Sequence, residues 1–382
     1  MANKVLFNLV VCQPLADVKR HGGGIYGEIV FRRIVERGFP IACFYDSRKW
    51  INPDVMKLIS ENDIDLYDVS KRDIQSVISE NGFKLLYSPI FQGLDTVRGC
   101  TIVTTIHGLR ALETPLDSYQ LKYLLNYKER IKYHIRKFFP LYWEGKMRNY
   151  YSSVCLKENI RFVTVSYHSR ASFYVHFPDI LRNTNIPVFY SPSTVSEYRV
   201  DKKKYCEKYY LLVSANRWDK NNLRAFVAFD ELFAAGYLSG VKLKITGANN
   251  KSEFRYRFKN PDRFEFLGYV SSDELQQLYH DAYSFVYPSL NEGFGYPPLE
   301  AMSYGVPVIA SSYSSIPEVC GDAAMYFNPI DVQEIKNRIY QMNEKDVHDS
   351  YALKGRERYA MVAQKQESDL DKLIDYIYSF EK

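Results

Sequence analysis

Two glutamates dominate the chemistry that this sequence can carry. Glu292 and Glu300 are separated by seven residues in the segment 288–302, which also holds two glycines and a proline pair. A proline pair suits the first turn of a helix, because N–H groups there have no partner within the helix and proline lacks this group. The first carboxylate would then lie in a glycine-rich turn and the second one turn into the helix. Both are placed to accept hydrogen bonds from sugar or ribose hydroxyls.

The start of this predicted helix should also attract negative charge, because unpaired N–H groups and the helix dipole favour an anion there. The neighbouring residues that we expect to face a bound donor are Phe294, Gly295, Tyr296 and Leu299.

Two cations follow an apolar run in the second half of the chain. Arg217 and Lys220 come directly after the run 209–213 and just before a helix predicted from about residue 222. Cations at a strand end beside a helix N-terminus form an anion site suited to a diphosphate. A solvated surface pair is the alternative, since charges in turns are usually only that.

The first half of the chain holds a glycine-rich candidate. Residues 21–27 contain the G-x-G-x-x-G spacing, but residues 13–20 separate it from the first apolar run. A dinucleotide fingerprint has its first glycine directly after the strand. We therefore expect a flexible loop in which Gly23 and Gly24 let a phosphate or sugar approach the backbone. The helix would begin near Tyr26, and a plain helix-entry loop is the alternative.

Two further candidates stand at strand ends. His107 ends the apolar run 101–106, at the edge where open α/β sheets bind ligands. Tyr269 and Val270 follow the run 263–267, and their backbone groups would suit the edge of a nucleotide base. A structural histidine and simple packing are the respective alternatives.

Short apolar runs alternate with helical patterns along both halves. Such runs are typical of parallel strands covered on both faces by helices. The sequence therefore predicts an α/β protein with two doubly wound domains, at 1–195 and 196–364. A stretch without periodicity at 191–207 would link them, and a last helix would cover 365–382.

Composition excludes several classes of protein. The 382 residues are 46% hydrophobic, which is enough for a sizeable core and excludes general disorder. A net charge of +5 is too mild for a nucleic-acid-binding protein. The run 5–12 is far shorter than a membrane span of about 18 residues, and no small-residue cleavage site follows it. Six scattered cysteines indicate a reducing, cytoplasmic environment.

The positive charge is concentrated in one segment. Residues 118–150 hold eight Lys and Arg against two Glu, interleaved with aromatic residues. A basic aromatic helix can lie on an anionic membrane surface. A solvated helix that packs its Leu and Tyr face on the first domain is the alternative.

Taken together, these motifs resemble a retaining glycosyltransferase of family 4, which has the GT-B fold. The resemblance is densest over 209–329, where the two cations, Gly-Tyr-Val at 268–270, the E-x7-E pair and Gly-Val-Pro-Val-Ile-Ala at 305–310 occur in family order. It implies two Rossmann-like domains that face each other across a cleft. The first would bind the acceptor and the second the nucleotide sugar, and the last helix would cross back to the first.

The resemblance also assigns roles. Glu292 would contact the donor-sugar hydroxyls and Glu300 the ribose. The two cations would neutralise the diphosphate, and the two N-terminal glycines would approach it from the other domain. His107 would line the sugar pocket on the acceptor side.

The implied reaction moves a sugar, with retention, from a UDP- or GDP-sugar to a hydroxyl of a saccharide or lipid-linked saccharide. Bacterial surface polysaccharide or glycolipid synthesis is the implied setting, with the enzyme cytoplasmic or peripheral on the inner face of the membrane. No metal or other cofactor is expected, because the Asp-x-Asp motifs at 63–65 and 369–371 do not lie in loops typical of a metal-bound diphosphate.

Two other functions stay open. A GT-B-fold sugar-nucleotide epimerase would bind a similar donor, but it should not carry the E-x7-E helix start. A catalytically silent, sugar-binding partner subunit would be expected to have lost one of four charged residues, and all four are present: Arg217, Lys220, Glu292 and Glu300.

Overall fold

The computed structural model describes residues 4–14, 21–123, 126–181, 184–195 and 207–380. The chain divides into two compact units. Unit 1 contains Met1–Leu109, Met147–Ser193 and Ala363–Lys382, and unit 2 contains Arg110–Lys146 and Thr194–Val362.

In the described residues of the first half, six strands form the sheet of unit 1. They are β1 (Val5–Asn8), β2 (Ile41–Tyr45), β3 (Asp65–Asp68), β4 (Leu85–Ser88), β5 (Thr101–Ile106) and β6 (Ile160–Thr164). All pair in parallel, in the order β3-β2-β1-β4-β5-β6. The central strands β1 and β4 are fully buried, as near-continuous apolar runs require, whereas the edge strand β3 is partly exposed.

Among the described residues, eight α-helices accompany this part of the chain. They are α1 (Gly22–Glu36), α2 (Pro53–Glu61), α3 (Ile74–Asn81), α4 (Arg110–Glu113), α5 (Tyr127–Phe138), α6 (Pro140–Cys155), α7 (Tyr167–His176) and α8 (Pro178–Leu181). Helix α4, helix α5 and the start of α6 are counted with unit 2.

The expected glycine loop is instead the first turn of α1, so the predicted helix start at Tyr26 is wrong. The imidazole of His21 caps this helix by accepting a hydrogen bond from the Gly24 N–H at 3.1 Å. A Cβ atom at Gly24 would lie 2.8 Å from the Cys12 carbonyl oxygen, and one at Gly27 2.4 Å from the Cys12 sulfur. Close packing of α1 against the preceding segment therefore accounts for these two glycines.

Unit 2 repeats the same architecture. Its strands are β7 (Tyr209–Leu212), β8 (Lys242–Thr246), β9 (Phe264–Gly268), β10 (Ser284–Tyr287), β11 (Val308–Ser311) and β12 (Ala324–Phe327). They pair in parallel in the order β12-β11-β10-β7-β8-β9. Read from its own first strand, this order matches that of unit 1, and both match the doubly wound order of nucleotide-binding folds. The predicted α/β class with two doubly wound domains is confirmed.

Six further α-helices lie in the described part of the second half, 207–380. They are α9 (Asn222–Ala234), α10 (Ser272–Asp281), α11 (Tyr296–Ser303), α12 (Ile316–Cys320), α13 (Val332–Met342) and α14 (Lys345–Tyr378). Within the described ranges, no helix is both long enough and apolar enough to cross a membrane.

The last part of α14 packs within unit 1. Arg37 donates to the Asp375 carboxylate at 2.8 Å, and Arg33 pairs with Glu367. The Tyr378 hydroxyl donates to the Pro40 carbonyl at 2.9 Å. Ion pairs and buried apolar side chains thus hold the end of α14 against α1 and the start of β2.

The units differ from the predicted domains in residues 110–146, which belong with unit 2. Asp117 forms a buried ion pair with Arg224 on α9. The Tyr123 hydroxyl accepts a hydrogen bond from the Leu223 N–H at 3.2 Å, and the Tyr123 backbone bridges to Phe254. Contacts distant in sequence therefore attach this segment to the second sheet.

One other expectation concerns the connection between the sheets. Most of the predicted linker, residues 196–206, lies outside the described residues. Shortly before it, Val188 forms one isolated parallel bridge with Thr164.

The Asp117–Arg224 pair generates the first prediction. Both side chains are less than a tenth exposed. Replacing Asp117 by Asn leaves the Arg224 guanidinium buried without its counter-charge, which typically costs about 3–5 kcal/mol of unfolding free energy. Urea denaturation of the purified variant measures this loss.

The matched control is Asp349→Asn, which breaks the exposed ion pair with Lys345. Exposed pairs contribute little to stability, so this variant should unfold close to the wild type. Equal destabilisation of the two variants would contradict a structural role for the buried pair.

Candidate active site

The candidate site in unit 2 lies where the winding of the sheet reverses. Strands β7 and β10 are neighbours there, and open α/β sheets bind ligands beyond the carboxyl ends of such strands. Residues 217–220 follow β7, and residues 289–292 follow β10. The topology therefore brings together two motifs that are more than 60 residues apart in the sequence.

The Glu292 carboxylate is the centre of this site. Its Oε1 accepts hydrogen bonds from the Lys220 ammonium at 2.5 Å, the Tyr287 hydroxyl at 2.6 Å and the Ser289 hydroxyl at 2.5 Å. Among the described contacts, Oε2 meets only the Arg110 guanidinium, at 3.7 Å. One oxygen is thus fully occupied, and the other remains able to accept a hydrogen bond from a ligand hydroxyl.

Burial and charge act in opposite directions on this pair. Burial raises the pKa of Glu292, but the charges of Lys220 and Arg110 outweigh it and bring the pKa down to about 2. Burial lowers the pKa of Lys220, and the Glu292 carboxylate opposes that shift. Each charge therefore keeps the other ionised in a place where neither would be stable alone.

Two arginines surround a second buried acid. Arg217 donates to Asp219 Oδ1 at 3.2 Å and to Oδ2 at 2.6 Å. Arg110 also contacts Oδ2, at 3.2 Å. The side chain of Arg110 is 44% exposed and that of Arg217 is 42% exposed, whereas Asp219 is buried. The guanidinium groups therefore face solvent above the acids, where an incoming anion would meet them first.

The backbone of the glutamate turn is fixed from the strand on its other side. The Glu292 N–H donates to the Ser314 hydroxyl at 2.8 Å, and the Ser315 hydroxyl donates to the carbonyls of Glu292 and Phe294, both at 2.9 Å. Asn221 links the turn after β7 to the Pro288 carbonyl at 3.0 Å. These hydrogen bonds hold the two turns in a defined arrangement, the kind of preorganisation that electrostatic catalysis uses.

Glu300 lies in the second turn of α11, as its spacing predicts. Its Oε1 accepts a hydrogen bond from the Thr194 hydroxyl at 2.7 Å. Burial raises the pKa of Glu300, and the charge of Lys220 opposes the shift, so Glu300 lies within electrostatic reach of the cluster. The structure thus places all four predicted charged residues at one edge of the sheet.

The start of α11 has the predicted form. Gly295 caps the helix with φ of +105°, a conformation that favours glycine, and the proline pair follows within the first turn. Phe294 and Leu299 are buried, while Tyr296 is partly exposed and its ring meets that of Phe294 edge-on.

Tyr269 and Val270 are not part of the carboxylate cluster. They follow β9, which is an edge strand two positions away from β7. The Tyr269 side chain is 83% exposed, so a role in base binding rests on its backbone groups alone.

The remaining predicted residues belong to unit 1. The His107 ring lies after β5 and contacts the Pro89 carbonyl through Nε2 at 2.8 Å. A carbonyl only accepts, so Nε2 carries the proton and Nδ1 is an acceptor. Burial lowers the pKa of His107 to about 4, which keeps the ring neutral near pH 7. Gly23 and Gly24 lie in the first turn of α1, where the Gly24 N–H is already bonded to His21.

Four residues of the site carried no prediction. Three of them adjoin the predicted motifs: Asp219 follows β7, Tyr287 ends β10 and Ser289 follows β10. Their place at these strand ends could have marked them as site residues. Arg110 had no such signal, because its partners lie more than 100 residues further along the chain.

Within the described ranges, no three His, Cys, Asp or Glu side chains are grouped closely enough to hold a metal ion. Metal independence stays a prediction.

Comparisons with known proteins agree with this geometry. Residues 208–345 match the model of the family described as glycosyl transferases group 1. O-antigen chain mannosyltransferase RfbU of Salmonella typhimurium is 30% identical over 211 residues, which are 54% of this chain and 58% of that protein. O-antigen chain mannosyltransferase B of Escherichia coli is 52% identical over 81 residues, or 21% of each chain. The chain thus spans little more than half of the first relative and about a fifth of the second.

The fold is also that of a solved glycosyltransferase. The crystal structure of WaaG, a glycosyltransferase involved in lipopolysaccharide biosynthesis, superposes with a TM-score of 0.68 at 12% identity. The superposition covers 98% of this chain and 99% of that one. The predicted GT-B fold is therefore confirmed.

The low pKa of Glu292 generates a prediction on stability. A carboxylate whose pKa falls from 4.5 to about 2 on folding stabilises the protein above pH 4.5, and this contribution is lost as the pH falls towards 2. Glu292→Gln lacks the contribution at every pH. The difference in unfolding free energy between wild type and variant should therefore shrink by about 2 kcal/mol from about pH 6 to about pH 3.

Urea denaturation at each pH measures this difference. Glu357→Gln, at an exposed position on α14, is the control and should follow the wild type throughout. A gap between wild type and Glu292→Gln that does not change with pH would contradict the assigned pKa.

Proposed function

We propose that this chain, whose residues 208–345 form a glycosyl transferases group 1 domain, is a glycosyltransferase that uses a nucleotide-diphosphate sugar. The observation that supports the proposal most is the cluster of Arg110, Arg217 and Lys220 around two buried acids. Cations cover the position that a diphosphate would take at the end of β7. A carboxylate oxygen beside them remains available to a sugar hydroxyl.

Mannose is the first donor sugar to test. The two relatives named above are called O-antigen chain mannosyltransferases, and the family match over 208–345 includes Arg217, Lys220, Glu292 and Glu300. The donor would be mannose linked to GDP or UDP. The acceptor would be a hydroxyl of a saccharide or lipid-linked saccharide in bacterial surface polysaccharide synthesis.

The chemistry follows from the charges. The bond between the sugar C1 and the phosphate oxygen breaks, and negative charge grows on the departing diphosphate. Preorganised cations lower the free energy of that transition state, so no metal is required for this purpose. For a retaining reaction we propose front-face attack. The acceptor oxygen bonds to C1 on the face that the diphosphate leaves, and the acceptor proton passes to the phosphate oxygen.

The residues of the site would have separate roles. Arg217 and Lys220 would bind the diphosphate. Glu292 would accept a hydrogen bond from a donor-sugar hydroxyl through Oε2, and Glu300 one from the ribose. His107, neutral with Nδ1 as an acceptor, would line the sugar pocket.

A catalytically silent subunit is the less favoured alternative. Arg217, Lys220 and Glu292 are not only present but belong to two hydrogen-bonded ion pairs that Arg110 connects. An epimerase would convert the nucleotide sugar into its epimer without joining the sugar to an acceptor, so product analysis separates it from a transferase.

The proposal is tested with a panel of UDP-, GDP- and ADP-sugars, GDP-mannose included. The wild type should be stabilised against heat by one donor and should release the nucleoside diphosphate only when an acceptor saccharide is present. In Glu292→Gln, transfer should fall by about 100-fold or more, because a transition-state contact and the Lys220 counter-charge are lost together. Nucleotide binding should persist.

Glu357→Gln is the control for this assay as well, since it removes an exposed carboxylate on α14. Full transfer activity in Glu292→Gln with intact donor binding would refute the assignment of Glu292. Absence of binding to every nucleotide sugar of the panel would refute the function.

We also propose that the segment around α5 and α6 contacts an anionic membrane surface. Its exposed apolar side chains are Tyr127, Ile131, Phe138, Phe139, Leu141 and Tyr142. Among them lie Lys128, Arg130, Lys132 and Lys137. All of these apolar side chains except that of Ile131 are 62–83% exposed, which is costly in water, and they stand beside cations that anionic lipid headgroups would attract.

Flotation with liposomes tests this surface. The protein should float with vesicles that contain phosphatidylglycerol, should float less as the salt concentration rises, and should not float with neutral vesicles. The variant Phe138→Ser/Phe139→Ser/Leu141→Ser should lose most of the binding.

The control Leu353→Ser/Met361→Ser removes exposed apolar side chains from α14. This variant should bind vesicles as the wild type does. No flotation of the wild type even at low salt would refute the membrane proposal.

A further inference from the structure

The 110–123 segment contributes to the site although it lies outside the matched family region. Helix α4 presents Arg110 and Glu113 to one side, three residues apart. Arg110 reaches Asp219 and Glu292, and the Glu113 carboxylate accepts a hydrogen bond from the Asn291 amide at 2.9 Å. The helix therefore contacts both turns of the candidate site.

Three contacts hold this segment in place. The buried Asp117–Arg224 pair fixes its middle, and Tyr123, which packs into the core of unit 2, fixes its end. The Arg255 N–H donates to the Lys122 carbonyl at 2.6 Å. The segment is bound to unit 2 at three points. These contacts fix the backbone at Arg110, although the Arg110 side chain itself is nearly half exposed.

Charge balance explains why a third cation matters. Arg217 is paired with Asp219 and Lys220 with Glu292, so these four groups together carry no net charge. Arg110 adds a third cation beside these two pairs, while Glu113 of the same helix accepts a hydrogen bond from the Asn291 amide. The contacts of Arg110, at 3.2 and 3.7 Å, are also longer than those of the other two cations, at 2.6 and 2.5 Å. Of the three cations, Arg110 would therefore give up the weakest ion-pair contacts if it turned towards an anion.

We infer that Arg110 binds the diphosphate of the donor, as a third cation delivered to the site by the 110–123 segment. This inference rests on the proposed function. It adds Arg110 to Arg217 and Lys220 as a cation that contacts the phosphates. A planar guanidinium with several N–H donors suits phosphate oxygens.

The test compares Arg110→Gln with the wild type by calorimetric titration of UDP and GDP, and of uridine and guanosine. The nucleoside diphosphate that binds the wild type should bind the variant about 10- to 100-fold more weakly, the range expected for one charge-assisted bond. Binding of the nucleoside, which has no phosphate, should not change. Affinity for the diphosphate should also fall less steeply with salt in the variant.

Two further variants sharpen the comparison. Arg110→Lys keeps the charge and should recover part of the affinity. Arg257→Gln removes an exposed arginine elsewhere in unit 2 and should bind as the wild type does. Since the Arg110 side chain is nearly half exposed, its replacement should leave the fold intact, and thermal denaturation of Arg110→Gln checks this.

The possible failures are distinguishable. If the wild type binds a nucleoside diphosphate and Arg110→Gln binds it equally well, the inference about Arg110 is overturned while the proposed function stands. An equal loss for nucleoside and nucleoside diphosphate would also overturn it. If neither nucleoside diphosphate binds the wild type, the proposed donor site fails and the inference fails with it.

Discussion

The buried pair of Glu292 and Lys220 is the interaction on which the candidate site depends. A carboxylate and an ammonium group lose much hydration when both are buried, and their attraction offsets this loss only with good geometry and further hydrogen bonds. Both conditions hold here. Tyr287 and Ser289 donate to the same carboxylate oxygen as Lys220, and serines after β11 hold the backbone of the turn. The result is a fixed charge arrangement with one carboxylate oxygen left for a ligand.

Sheet topology explains why such a pair can form between distant residues. Lys220 follows β7 and Glu292 follows β10. These strands are hydrogen-bonded neighbours, because the chain adds β8 and β9 on one side of β7 and then crosses to place β10 on the other side. Residues at the ends of β7 and β10 therefore meet, although the chain between them forms two strands and two helices. The apolar strands supply the rigid support, and their turns carry the polar groups.

Much of this was predictable from the sequence because the signals were local. An apolar run followed by Arg217 and Lys220 predicts cations at a strand end. A glycine turn followed by a proline pair predicts a helix start beside Glu292. The glycine run at 22–24 was misleading, since glycine serves open loops and tight helix packing equally well. Only the neighbours of these glycines, such as the Cys12 carbonyl, distinguish the two.

The α/β class, the repeated doubly wound pattern and three charged residues at the ends of β7 and β10 could be predicted from the sequence alone. Apolar strand runs and the motifs that follow them consist of consecutive residues, so they are visible without the fold. Tertiary structure was needed to show that residues 110–146 belong with the second unit and that Arg110 joins Asp219 and Glu292. Those contacts depend on a buried ion pair and a core tyrosine whose partners lie 100 or more residues further along the chain. No periodicity or spacing within the segment records such a pairing.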